Sequence, residues 1–337
     1  MKLICYGTRP EIIKLNPVIK SFQKNNIPFQ TCFTSQHKTL FKDFQNFIPE
    51  PDIVLKNVFF EGQSINQMLS KIISEFDVIS KSFTDVFVQG DTSSAVGIAL
   101  AAFNSKIRVH HIEAGLRTHN RKSPFPEEMN RLLIAQCADY HYCPTEKAVE
   151  NLQSENITNH VYNVGNTIVD VYQNYNSNSE TNSNYFLVSL HRRENRGNRM
   201  ISMIEQLNQI QNEIIYITHP SIDSSFYKQH VKSKYIQLIE PVNYLKMVEL
   251  IQNCKGIISD SGGLQEEAVC ANKKILICRE STEREETIEC GIGKLVDDQI
   301  HKNINFFDEP IDSNIKNPYG ENVSEKISNI VKGINEK

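Results

Sequence analysis

No stretch of the chain approaches the roughly 18 apolar residues that a membrane span needs, and neither charge dominates. Across 337 residues, 36 Lys+Arg against 40 Asp+Glu leave a net charge of −4 at pH 7. That balance gives no electrostatic reason to expect nucleic acid or an anionic membrane as a partner. The eight cysteines show no Cys-x-x-Cys spacing, and Cys5, Cys32 and Cys278 lie inside apolar runs. This argues against zinc and disulfides and fits buried thiols in a reducing, cytoplasmic setting. There is no Gly-x-Gly-x-x-Gly fingerprint, no Walker loop and no repeat at solenoid period. The first residues, 1–7, are too short in apolar side chains for a signal peptide and read as a first strand.

What is there is alternation. Short apolar runs at 2–6, 30–34, 85–89, 107–112, 160–164, 185–190, 214–218, 255–259 and 274–278 read as strands. Helix-period segments separate them, such as Ser64 to Phe83, where Ile65, Met68, Leu69, Ile72, Ile73, Phe76 and Ile79 share one face. Strand–helix alternation implies right-handed βαβ units and parallel sheets covered on both faces. The length suits two domains rather than one core. Residues 174–184 are polar and low in complexity, with nothing to bury. They mark a hinge at 171–184 between an α/β domain at 1–170 and a second at 185–320. A last helix near 321–335 has Val323, Ile327, Ile330 and Ile334 on one face, so it must dock on something.

Two turns suit anions. The first strand ends in Gly7-Thr8-Arg9-Pro10-Glu11 and runs into a helix containing Lys14. Pro10 fits a first helical position, and the helix N-terminus with Arg9 favours a phosphate-like group. The alternative is an ordinary turn with a solvated arginine. Asp260-Ser261-Gly262-Gly263-Leu264-Gln265-Glu266-Glu267 repeats the pattern in the second half. There the two glycines permit close backbone approach, and Glu267 could take the hydroxyls of a ribose. The simpler reading is Ser261 as an N-cap.

His191-Arg192-Arg193-Glu194 and His219-Pro220 each follow a strand, so both histidines point to one rim. A charged His or Arg there can stabilise a departing diphosphate; no second ligand at helical spacing supports a metal. Glu285 and Glu286 complement the dipole of a late helix, which leaves Arg279 and Arg284 wanting a partner. The richest stretch holds three carboxylates: Asp91 after a strand, Glu113 after the next strand, and Glu127 in Pro126-Glu127-Glu128. Each has a structural reading, with Asp91 as a helix cap, Glu113 paired with Arg117 and Glu127 facing a helix dipole. Acids gathered at strand ends of a parallel sheet also lie where ligands bind, and crowding suits them to proton transfer.

Taken together, these segments resemble the non-hydrolysing UDP-N-acetylglucosamine 2-epimerases. The resemblance rests on Gly-Thr-Arg-Pro-Glu at 7–11, Gln-His at 36–37, Gly-Asp-Thr at 90–92, Glu-Ala-Gly-Leu-Arg-Thr at 113–118 and Pro-Glu-Glu-x-Asn-Arg at 126–131. Gly-Asn-Thr at 165–167, His-Arg-Arg-Glu-Asn at 191–195, Asp-Ser-Gly-Gly-x-Gln-Glu-Glu at 260–267, Thr-Glu-Arg at 282–284 and Asn-Pro-Tyr-Gly at 317–320 complete it, in the family's order. It implies the GT-B architecture, two Rossmann-like domains facing a central cleft, with the last helix packing back on the first domain. The implied reaction inverts C2 of UDP-GlcNAc through elimination of UDP to a 2-acetamidoglucal and re-addition. Asp91, Glu113 and Glu127 would be the acid/base groups and His191 would assist the leaving diphosphate. Arg9, Lys14, Arg131, His219, Ser261, Gly262, Gly263, Glu267, Arg279 and Arg284 would hold the UDP-sugar. No metal or redox cofactor is implied, the UDP-sugar is the expected partner, and family habit points to a homodimer serving cell-surface polysaccharide synthesis.

The chain departs from the family at Glu285, where a proline is common, and at Ile217-Thr218-His219-Pro220-Ser221. Thr39 and Gly62 stand where substrate-activated members carry a glutamine and an arginine, so activation in its usual form is not expected. A modified 2,3-diacetamido substrate, a hydrolysing relative, a GT-B glycosyltransferase and a silent nucleotide-sugar sensor are the alternatives. Pro10 argues against the hydrolysing type, which usually has alanine there.

Overall fold

The structure, a computed structural model, describes residues 1–36, 49–56, 58–60, 62–174 and 183–335. His37, Thr39 and residues 175–182 of the expected hinge lie outside the described residues. Among those described, no helix is long and apolar enough to cross a membrane. The chain divides into two compact units, Met1–Val171 with Tyr319–Lys337, and Tyr172–Pro318.

In the first unit, β1 (Lys2–Tyr6), β2 (Phe29–Phe33), β3 (Ile53–Val54), β4 (Asp85–Gln89), β5 (Arg108–Ile112), β6 (Tyr140–Cys143) and β7 (Val161–Asn163) pair in parallel. Their order is β3-β2-β1-β4-β5-β6-β7. All residues of β1 and β4 are buried, as a strand covered on both faces requires. The order reverses between β1 and β4, so a crevice opens at their carboxyl ends, the usual ligand position in such sheets.

Helices α1 (Arg9–Lys24), α2 (Ile65–Ile79), α3 (Ser93–Asn104) and α4 (Glu127–Cys137) cover this sheet. A capping box starts α2: Gln67 N–H donates to Ser64 Oγ at 3.2 Å and Ser64 N–H to Gln67 Oε1 at 2.8 Å. The helix stops at Ile79 and tightens into a 3₁₀ turn at Ser80–Ser82, short of the Phe83 limit expected from periodicity. Its Met68, Ile72 and Phe76 enter a core with Val86, Val88, Ile98 and Ala102. The C-terminal helix Val323–Asn335 lies on α1, where Ser21 Oγ meets Ser328 Oγ at 2.7 Å. Asp170 accepts the N–H groups of Val323 (3.1 Å) and Ser324 (2.6 Å), so two of its unsatisfied N-terminal donors find a partner.

The second unit repeats the plan with β8 (Tyr185–Ser189), β9 (Glu213–Ile217), β10 (Ile236–Ile239), β11 (Gly256–Ser259), β12 (Ile275–Ile277) and β13 (Gly293–Leu295). The order is β10-β9-β8-β11-β12-β13, all parallel. The reversal falls between β8 and β11, above a core of Phe186, Val188, Tyr216, Ile258 and Leu276. Helix α5 (Gly262–Cys270) follows β11 directly. The expected class, two parallel-sheet α/β domains, is what the chain adopts.

Four strands lay outside the sequence reading: β3, β6, β10 and β13. Two have only two or three residues, too few for a pattern. β10 is only partly buried. β6 reads Tyr-His-Tyr-Cys, polar in composition yet buried throughout.

Candidate active site

In the first unit, the rim between β1 and β4 is held by Glu11. Its carboxylate accepts the N–H groups of Gly7 (2.8 Å) and Thr8 (2.7 Å) and the Thr92 hydroxyl (2.7 Å). Burial pushes the Glu11 carboxyl up, against these hydrogen bonds, which favour its charged form. At the turn expected to suit an anion, the N–H groups of Gly7 and Thr8 are thus taken by the chain's own acid at the third helical position. Gly7 permits the crowding, because a Cβ there would stand 2.1 Å from Thr34 Oγ1 and 2.2 Å from Ser94 Oγ. Arg9, next to the turn, is partly exposed.

Asp91 leaves the end of β4 and Glu113 the end of β5, neighbouring strands in register at Gln89 and Ile112. Asp91 does not cap α3; Thr92 does, accepting Ala95 N–H at 3.0 Å. The Asp91 carboxylate instead lies 3.3 Å from Nη1 of Arg131, and its carbonyl accepts from Asn130 Nδ2 at 2.8 Å. Both partners come from α4, the helix that Glu127 opens. Thus residues from the first two turns of α4 hold Asp91 at the rim. His111 Nε2 donates to the Gly90 carbonyl at 2.8 Å beneath them. Burial lowers His111 to about 3, which keeps the ring neutral.

Glu113 sits at φ +66°, a left-handed conformation uncommon for a side chain of its size. Its Oε2 accepts from Gln89 Nε2 at 2.6 Å and from the buried Lys14 ammonium. The expected pairing with Arg117 is not formed. Arg117 binds Glu155 instead, through Nε at 2.7 Å and Nη2 at 2.8 Å. Lys14 therefore meets a carboxylate of its own chain. Arg131 is 2% exposed and lies 3.1 Å from Glu128, whose carboxylate also accepts from the backbone of Thr118 and His119. Gly115 turns the loop at φ +87°, where a Cβ would stand 2.2 Å from the Ala148 carbonyl.

In the second unit, Asp260 ties the β8 and β11 rims together. It accepts the N–H groups of His191 (3.0 Å) and Arg192 (2.9 Å) and Nδ2 of Asn195 (2.8 Å). The His191 and His219 rings stack with centroids 4.9 Å apart and planes 14° from parallel. Burial lowers the pKa of His191, opposed by Asp260, and burial followed by His191 lowers His219. His219 Nδ1 meets Ser221 Oγ at 2.7 Å.

Ser261 makes no side-chain cap to α5. Its own N–H donates to Ser259 Oγ at 3.0 Å. Gly262 admits the Arg284 guanidinium, since a Cβ there would stand 2.6 Å from Nη1. Arg279 and Arg284, expected to want partners, have them. Arg284 Nε donates to Glu266 at 2.6 Å and Nη1 to Glu283, while Arg279 Nη2 lies 2.9 Å from Glu283. Paired carboxylates offset two guanidinium groups that burial alone would disfavour. Gly263 opens on space, with Ser261 Oγ the nearest atom to a Cβ at 4.0 Å. Glu267 is 8% exposed on the second turn of α5. Gly62 lies in an exposed turn at φ +79°. Among the described residues, no group of three His, Cys, Asp or Glu could hold a metal ion.

A sequence model of the UDP-N-acetylglucosamine 2-epimerase family matches residues 20–332. The chain belongs to that family. A UDP-N-acetylglucosamine 2-epimerase from Campylobacter jejuni is 35% identical, over 99% of this chain and 98% of the relative. The crystal structure of the Methanocaldococcus jannaschii UDP-GlcNAc 2-epimerase in complex with UDP-GlcNAc and UDP has a TM-score of 0.87 at 34% identity. The match covers 99% of this chain and 100% of that one. The Neisseria meningitidis UDP-GlcNAc 2-epimerase bound to UDP-GlcNAc has a TM-score of 0.87 at 33% identity, with full coverage of both chains. A spinosyn forosaminyltransferase, 11% identical with a TM-score of 0.62, shares the fold alone; it covers 100% of this chain and 99% of its own.

Within this epimerase-family chain, the sequence reading passed over four site residues. Glu11, Gln89, Glu128 and Asp260 organise the rims without being the obvious reactive groups. Glu11, Glu128 and Asp260 stand inside the sequence motifs; Gln89 carries a weaker signal, a polar residue closing the apolar strand β4.

Proposed function

We propose that the chain interconverts UDP-GlcNAc and UDP-ManNAc without hydrolysis, in the cytoplasm, as a homodimer supplying cell-surface polysaccharide synthesis. The N-terminal unit carries the acid/base groups and the C-terminal unit binds UDP. In the forward direction a carboxylate takes the proton from C2. The C–H electron pair becomes the C1=C2 bond, and the C1–O pair leaves with UDP. Re-addition reverses these changes with protonation on the other face of C2. Asp91, Glu113 and Glu127 share the proton traffic, and His191 with His219 faces the departing diphosphate. Arg9, Gly263 and Glu267 are among the candidate contacts to the nucleotide. Arg284 acts beside them from its place at Gly262.

The observation that carries this reading is the pairing of two strand-end acids with buried cations: Asp91 with Arg131 and Glu113 with Lys14. Each cation fixes the carboxylate it pairs with at a strand end, where ligands bind in such sheets. Pro10 supports the non-hydrolysing type. A time course on UDP-GlcNAc followed by NMR tests the proposal. UDP-ManNAc should appear and reach equilibrium with its epimer. Stoichiometric free UDP and ManNAc would assign the chain to the hydrolysing type.

A further inference from the structure

Gln89 closes β4 at 3% exposure, the last of five buried residues in Asp-Val-Phe-Val-Gln. Burying a primary amide is costly unless its hydrogen bonds are made, and an apolar side chain would complete this strand at lower cost. The Gln89 Nε2 donates at 2.6 Å to Oε2 of Glu113, the same oxygen that takes the Lys14 ammonium. Glu113 itself holds a left-handed φ of +66°. Such conformations persist where the surroundings over-determine them, and they gather at active sites.

We propose that Gln89 is a positioning residue for the epimerase reaction: its amide N–H, together with Lys14, fixes the Glu113 carboxylate in its strained position and keeps it ionised to take the proton from substrate carbon. This inference rests on the epimerase reading proposed above. The chemistry of the donor explains why an amide serves there. Two donors on one carboxylate stabilise the anion. A second cation would hold it ionised too firmly for a group that must also carry the abstracted proton. A neutral amide orients the carboxylate and adds no second charge. The proton leaving C2 resides on Glu113 while the C1–O electron pair departs with UDP, so the pair Gln89–Glu113 stays charge-balanced against Lys14 only before the transfer. Re-ionisation of Glu113 restores it.

Three substitutions test the proposal. Gln89→Leu removes the donor. It should lower kcat about 10- to 100-fold, the factor that a hydrogen bond to a charged group supplies, with KM held within about threefold. The acid limb of the kcat pH profile should move upward, and in protein labelled with ¹³C at glutamate carboxyls the Glu113 signal should titrate at higher pH. Gln89→His keeps an N–H donor and should recover most of the lost kcat. Gln89→Glu keeps the shape and places a carboxylate against Glu113. It should lose at least as much kcat, and it decides the matter if the leucine variant fails to fold. Unchanged kcat and unchanged Glu113 titration in either folded variant would overturn the proposal. So would a rise in KM at constant kcat, which would make Gln89 a substrate ligand. A wild-type protein inert toward UDP-GlcNAc would sink the epimerase reading instead, while the Glu113 titration would still decide whether Gln89 holds that carboxylate.

Discussion

Arg131 stands between two acids of its own rim, 3.3 Å from the Asp91 carboxylate through Nη1 and 3.1 Å from Glu128 through Nε. At 2% exposure it is among the largest fully buried side chains of the protein. Glu128 in turn receives the backbone of Thr118 and His119, so one guanidinium links α4, the Asp91 rim and the loop after Gly115. Arg131, which the sequence motif offers as a substrate contact, is also a strut behind these acids.

Removing that strut should therefore cost stability first. Arg131→Met is expected to lower the unfolding free energy by about 3–5 kcal/mol, the usual result of stripping one partner from a buried ion pair. Urea unfolding of the variant against the wild type measures it. A stable variant with a raised KM for UDP-GlcNAc would return Arg131 to the substrate.

Asp91, by contrast, has 29% of its side chain exposed and is placed to act on a ligand. Asp91→Asn should lose kcat by about 10²- to 10⁴-fold, the range of a general acid/base. Calorimetric titration should find UDP binding retained. Normal turnover in this variant would remove Asp91 from the proton path.

Two buried histidines set a pH dependence. Burial lowers His111 to about 3 and His141 to about 4, from an ordinary value of 6.5. Because the folded values are depressed, the unfolded chain gains protons below pH 6.5 that the folded chain refuses. Stability is then undiminished above pH 6.5 and falls between 6.5 and about 4, by about 1.4 kcal/mol per pH unit for each histidine. His141→Gln should remove one such share of the slope in urea titrations between pH 6 and 4.5. An unchanged slope would mean that His141 is not held neutral.

The sheets were legible in the sequence where the runs are apolar, as in β1, β4 and β11. They were not where burial is polar. Tyr140 of β6 stacks on His110 at a centroid distance of 4.5 Å, and β6 buries Tyr and His rings that composition assigns to a surface. The acids were legible because strand ends expose them. Their partners were not, because Lys14 and Glu113 stand 99 residues apart and meet only when β1 and β5 join one sheet. The local guess, Glu113 with Arg117, failed for a clear reason. Spacing of i, i+4 pairs side chains on a helix, whereas residues 113–115 form a turn and 116–117 are irregular. Arg279 and Glu283 pair at that same spacing in the loop before the helix Glu285–Glu289. There tertiary packing, rather than a helical face, brings them together.

Epimerisation by elimination and re-addition requires proton exchange at one carbon. The decisive measurement is incubation of the protein with UDP-GlcNAc in D₂O, followed by NMR. The elimination route predicts deuterium at C2 in both UDP-GlcNAc and UDP-ManNAc, with the sugar–diphosphate linkage intact. UDP-ManNAc formed with protium retained at C2 would contradict it.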